Sequence, residues 1–100
     1  MSCTDIRIDG SILSANCRRP GGSYEPSSLD LNSCVGNKNG IITWGSSDFY
    51  YTAREVRLGW YDGRPQLLAQ LRNNHGYWGP DVDLELDQRI ENKNGKLVYQ

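Results

Sequence analysis

The sequence predicts an all-β protein built from two intertwined copies of one short motif, and three observations carry that expectation. Apolar residues recur at every second position in short runs: Ile6 and Ile8; Leu13, Ala15 and Cys17; Leu67, Ala69 and Leu71; Val82, Leu84 and Leu86. A period of two marks a strand with one buried face. Asp9-Gly10, Asn39-Gly40 and Asn94-Gly95 supply the residues that tolerate positive φ, which tight hairpin turns demand. Finally, the halves of the chain superimpose. LDLNSCVGNKNGIITW, starting at Leu29, matches LELDQRIENKNGKLVY, starting at Leu84, at an offset of 55.

Taken in chain order, each element of the first half has a counterpart in the second. Cys3, Ile6 and Ile8 fall over Ala53, Val56 and Leu58; Leu13, Ala15 and Cys17 fall over Leu67, Ala69 and Leu71; the tetrapeptide NKNG occurs in both halves. The offset changes from 50 for Cys3 over Ala53 to 54 for Ile12 to Tyr24 over Gln66 to Trp78, which implies a longer second hairpin loop, GWYDGRP. No stretch sustains a helical period, so only short helical turns are expected, around Asn32 to Val35 and Asp87 to Ile90. Two repeats this small cannot each bury a core. One domain, residues 1–100, in which they share strands across a pseudo-twofold axis is the physical expectation.

Three cysteines allow one intramolecular disulfide and one leftover thiol, neither a knottin framework nor a zinc motif. Cys3 and Cys17, on strands expected to be adjacent, are the expected pair, because their repeat partners are the apolar Ala53 and Leu71. Closing that loop would stabilise the fold by about 3 kcal/mol in the chain-entropy model. Cys34 is then a free, half-buried thiol.

A net charge of −1, from 11 Lys and Arg against 12 Asp and Glu, argues against nucleic acid, whose phosphates are bound by clustered cations. No apolar run approaches a membrane span, and MSCTDIRIDG lacks the basic start and apolar stretch of a secretion signal. The compartment, cytosolic or released, stays open.

The runs GSILSANC and SSLDLNS, an N-x-[ND]-G turn leading into a strand ending in Trp, and ENKNGKLVY together resemble the cyanovirin-N homologues, in register over nearly the whole chain. The resemblance implies two triple-stranded sheets plus β-hairpins, half A formed by about 1–33 and 89–100 and half B by about 34–88. It implies a lectin, not an enzyme, that recognises α1-2-linked mannose of high-mannose oligosaccharides or glycoproteins without metal or cofactor.

By the same resemblance each half carries a sugar site. In half B the residues are Asn37, Lys38 and Asn39; Ser47, Asp48, Tyr51 and Thr52; and Arg72, Asn73 and Asn74. Amides, hydroxyls, a guanidinium and a carboxylate can together satisfy vicinal sugar hydroxyls. Gly36, Asn39 and Tyr51 stand where the family's prototype has acidic residues. In half A the residues are Met1 and Ser2; Arg18, Arg19 and Pro20; and Asn92, Lys93 and Asn94, with Pro20 replacing a threonine. Binding is therefore expected to be weak and mainly in half B. The linker Trp44-Gly45-Ser46-Ser47 lacks the prototype's proline, so a mostly monomeric protein is expected.

Structural roles compete with these. Asn39-Gly40 and Asn94-Gly95 are first of all hairpin turns. Trp44, Trp60, Trp78 and the six tyrosines offer sugar-stacking platforms, but Trp44, closing a strand at the repeat junction, is expected in the core. The alternation Asp81, Asp83, Glu85, Asp87 reads as the solvent face of a strand rather than a catalytic pair or calcium site. His75 reads as an exposed turn residue. Trp60 and Tyr61, expected in a loop, would be the contact surface if the fold served as an interaction module without sugar affinity.

Overall fold

The computed structural model describes residues 2–100; Met1, expected in the half-A site, lies outside them. The molecule is elongated, 50 × 24 × 19 Å. Each repeat forms a three-stranded antiparallel meander, a 3₁₀ turn and a hairpin. The first comprises β1 (Cys3–Asp9), β2 (Ile12–Arg18), β3 (Tyr24–Asp30), the turn Leu31–Ser33, β4 (Val35–Lys38) and β5 (Ile41–Trp44). The second repeats the series as β6 (Ala53–Tyr61), β7 (Arg64–Arg72), β8 (Trp78–Glu85), the turn Leu86–Gln88, β9 (Ile90–Lys93) and β10 (Lys96–Tyr99).

The pairing follows the alternation. Leu13 pairs with Ile8 and Leu29, while Leu67 pairs with Leu58 and Leu84. One continuous core takes residues from both repeats, including Leu13, Leu31, Val35 and Phe49 with Leu67, Leu86, Ile90 and Leu97. Burying such side chains is worth roughly 1.5–3 kcal/mol each. Neither repeat alone holds enough of them. Trp44 is half-buried at the repeat junction, stacked on Tyr99 at 5.8 Å and donating to Gln88 at 3.4 Å.

Each hairpin sits against the sheet of the other repeat. Leu97 N–H in β10 donates to Ser27 Oγ in β3 at 3.0 Å, and Asn74 N–H after β7 donates to Asn39 Oδ1 in the β4–β5 turn, also at 3.0 Å. The linker turns back through Gly45, whose φ is 74° and whose N–H donates to Cys34 O at 2.9 Å.

Several local expectations are corrected. The first turn centres on Gly10-Ser11, because Asp9 still pairs with Ile12 and only Gly10 takes positive φ, the signature of a type II′ turn. The second hairpin has longer strands rather than a longer loop: Trp60 pairs with Pro65 and Tyr61 with Arg64 around a tight Asp62-Gly63 turn. Trp60 and Tyr61 therefore end a strand. The 3₁₀ turns begin one residue earlier than expected, at Leu31 and Leu86, because those leucines point into the core; Val35 and Ile90 already start strands. A third 3₁₀ turn, Phe49–Thr52, buries Phe49.

Cys3 and Cys17 are directly opposite in the β1–β2 ladder and disulfide-bonded, while Ala53 and Leu71 are opposite in β6–β7. Cys34 is free and fully buried rather than half-exposed, and burial pushes its thiol up from the usual value. A high-pKa buried thiol is a poor nucleophile. Native protein is therefore expected to resist iodoacetamide at neutral pH and to gain one adduct per chain in denaturant. Rapid native labelling, read by intact mass, would contradict this burial.

Candidate functional site

Both NKNG hairpins are held by the same device. The Asn37 amide Nδ2 donates to Thr52 Oγ1 and to Arg72 O, each at 2.8 Å, while its Oδ1 accepts from Gly40 N–H at 2.7 Å. In the other half, Asn92 Nδ2 donates to Ser2 Oγ and Arg18 O, each at 2.8 Å, and Oδ1 accepts from Gly95 N–H at 2.8 Å. An asparagine offers two donors and one carbonyl oxygen, and here each N–H and the oxygen has a partner. These side chains fasten each hairpin to a sheet and are positioning groups.

Three further half-B residues shape loops. Asn39, at φ 54°, uses Oδ1 to receive Asn74 N–H. Asn73 Oδ1 receives the N–H groups of His75 and Tyr77 at 2.9 and 3.1 Å, closing the turn before β8. Its Nδ2 makes no bond among the described residues. Thr52 is occupied with Asn37.

What half B offers outward is Ser47, Asp48, Tyr51, Arg72 and Asn74, with Lys38 at its edge; all are exposed. Asp48 sits in the left-handed region at φ 65°, its N–H bonded to Asn32 O, and among the described residues its carboxylate meets only the Ser47 hydroxyl, at 3.4 Å. Tyr51 is 75% exposed. Gly36 is buried beneath the linker, where a Cβ would overlap the Ser46 side chain. No acidic residue fits there without moving that loop.

In half A, Ser2, Arg18, Arg19, Pro20, Asn92 and Asn94 line a cleft of about 380 Å³. Ser2 and Asn92 also border a neighbouring hollow with Asp87, Ile90 and Glu91. Lys93 is exposed beside them. Arg19 is paired with Glu25 at 3.6 Å, and both pack over Gly95. Glu25 was not singled out by sequence; its place across from Cys17 in the β2–β3 ladder brings it there.

Trp78, one of the aromatics that the sequence offers for sugar stacking, is engaged by arginines. It pairs with Arg72 across β7–β8, and the Arg72 and Arg54 guanidinium carbons lie 5.8 and 4.4 Å from its ring centre. Guanidinium groups stack favourably on indole. The acidic row is engaged at the surface, Asp81 with Arg57 at 2.9 Å and Glu85 with Arg64 at 3.1 Å. Among the described residues, no group of three or more His, Cys, Asp or Glu is placed to hold a metal ion.

Comparison with known proteins accounts for this arrangement. The family model for the CVNH domain matches residues 1–98. The cyanovirin-N homolog of Tuber borchii is 34% identical over 91 residues, covering 91% of this chain and 85% of that protein. Among solved structures, microvirin in complex with mannobiose has a TM-score of 0.86 at 28% identity, covering 99% of this chain and 94% of the other. A MoCVNH3 variant in complex with (N-GlcNAc)4 has a TM-score of 0.88 at 29% identity, with 99% and 94% covered. The chain belongs to the cyanovirin-N homologue (CVNH) family.

Proposed function

We propose that this protein is a metal-free lectin for the α1-2-linked mannose of high-mannose glycans, free or on glycoproteins, with half B as its principal site. CVNH homologues are carbohydrate-binding lectins, not enzymes, and the choice of mannose draws on the microvirin complex with mannobiose. The assignment treats residues 1–33 with 89–100 as half A and 34–88 as half B, a division supported by the bonds of each NKNG asparagine. The observation that carries half B is its set of polar groups with bonding capacity left over, the Asp48 carboxylate with its Ser47 hydroxyl donor, Arg72, Asn74 and the Asn73 Nδ2, arrayed around the Asn37 clamp. A carboxylate without a cation partner accepts from two sugar hydroxyls at once.

Substitutions must spare the clamps and loop anchors, so Asp48→Asn with Ser47→Ala is the informative pair; asparagine tolerates the left-handed backbone. Losing one charge-assisted bond, about 1.5–3 kcal/mol, should weaken dimannose binding about tenfold or more. Isothermal titration measures it. Unchanged affinity would remove half B as the principal site.

A second reading is favoured by the cleft of about 380 Å³ in half A. Arg18→Ala with Asn94→Ala tests it, since neither side chain clamps a hairpin. A glycan array offering α1-2 mannosides beside GlcNAc oligomers separates mannose from chitin-type recognition, and no binding to either would favour the interaction-module reading. The monomer is part of the proposal: sedimentation at micromolar concentration should show one species of single-chain mass, and a dominant dimer would refute it.

A further inference from the structure

The outer face of the β6–β7–β8 sheet carries a cleft of about 450 Å³ lined by Arg54, Glu55, Arg57, Gln70 and Asp81. A chain of bonds crosses three strands there. Arg54 Nε donates to Gln70 Oε1 at 2.8 Å, Gln70 Nε2 donates to Asp81 Oδ1 at 3.1 Å, and Arg57 Nη2 donates to Asp81 Oδ2 at 2.9 Å. Arg54 also stacks on Trp78, itself 38% exposed.

The first repeat is an internal control. It makes the same β-bulge, with Asp5 at φ 52° where the second has Glu55 at φ 56°. Yet Thr4 stands opposite Asn16 and Asn16 opposite Pro26, where the second repeat sets Arg54 opposite Gln70 and Gln70 opposite Asp81. Asn16 simply donates to Asp5 at 3.0 Å. The bulge therefore forms without an arginine, a glutamine or a third-strand acid, and the fold does not explain why half B has them.

The groups left unspent point to a ligand. The Arg54 terminal nitrogens and the Glu55 carboxylate make no hydrogen bond or ion pair among the described residues. Two arginines face two acids, so the cleft has no net charge to attract an ion. It offers donors beside acceptors, the combination that suits the alternating hydroxyls of a pyranose. Gln70 and Arg57 hold the Asp81 carboxyl below its usual range, which keeps it an acceptor. Continuity with half B comes from Arg72, which shares Trp78 with Arg54.

We propose that this cleft is an additional subsite for a neutral hexose, receiving a residue further along the oligosaccharide whose terminal mannoses occupy half B. The inference rests on the lectin reading above. Its test is an NMR and calorimetric titration of the protein with α1-2-linked mannobiose and with linear α1-2-linked mannotetraose, repeated on Arg54→Thr, which imports the first repeat's residue. Mannotetraose should bind about tenfold tighter than mannobiose and additionally shift Glu55, Gln70 and the Trp78 indole N–H, one or two new hydrogen bonds being of that size. Arg54→Thr should erase the gain while mannobiose affinity stays as in the parent protein. If mannobiose binds but mannotetraose gains nothing, or Arg54→Thr keeps the gain, the subsite is wrong and the lectin reading stands. If neither saccharide binds, both fall.

Discussion

Leu71→Ala is expected to destabilise the protein by about 2–5 kcal/mol, a large share of the roughly 5–15 kcal/mol typical of a domain. Leu71 is 1% exposed and sits opposite Ala53, the place that Cys17 holds opposite Cys3 in the other repeat. One half is covalently stapled where the other relies on a packed leucine. Truncation removes apolar contacts and leaves a cavity beside a small residue that cannot fill it. Leu71→Met, which nearly conserves volume, should cost less than about 1.5 kcal/mol. Urea denaturation measures both; a Leu71→Ala loss below 1 kcal/mol, on the order of an exposed-site change, would show that the position is not packed as described.

Asn37→Ala should cost about 2–4 kcal/mol, because it strips partners from Gly40 N–H, Thr52 Oγ1 and Arg72 O together. Asn37→Asp makes the sharper variant. It keeps the shape and the acceptor for Gly40 but turns an acceptor toward the Arg72 carbonyl, so it should be no better than alanine at neutral pH. Both variants should lower sugar affinity indirectly, by loosening the hairpin against β7. Were Asn37→Ala as stable as the parent and impaired only in binding, Asn37 would be a sugar contact and not a clamp.

Much of the fold was legible because strand periodicity and an internal repeat are both local patterns in the sequence. Laying Cys3 and Cys17 over Ala53 and Leu71 correctly anticipated which residues oppose one another. What was hidden depends on backbone conformations that residue type does not dictate. Asp5, Asp48 and Glu55 take positive φ without being glycine, so neither bulge nor the turn Phe49–Thr52 announced itself. The longer β6–β7 hairpin was misread because GWYDGRP is turn-rich, although only Asp62-Gly63 turns.

For the candidate site, the motif NKNG marks two equivalent hairpins but not the division of labour within them. Asn37 and Asn92 read as sugar ligands until their amides are seen to be fully bonded across to the other repeat. That bonding is a tertiary fact, between residues as distant as Ser2 and Asn92. Trp78 stands out in the sequence only as an aromatic able to stack; that its partners are two arginines from different strands is likewise a tertiary fact.

The most direct test of the central claim is an ¹⁵N titration with α1-2-linked dimannose, because it reports whether sugar binds and where. Saturable shifts at Ser47, Asp48, Thr52, Asn73 and Asn74, with Ser2, Arg19 and Asn92 unmoved, are the expected result. Shifts confined to Ser2, Arg19 and Asn92 would place the site in half A, and a spectrum unchanged at millimolar dimannose would contradict the mannose-lectin assignment itself.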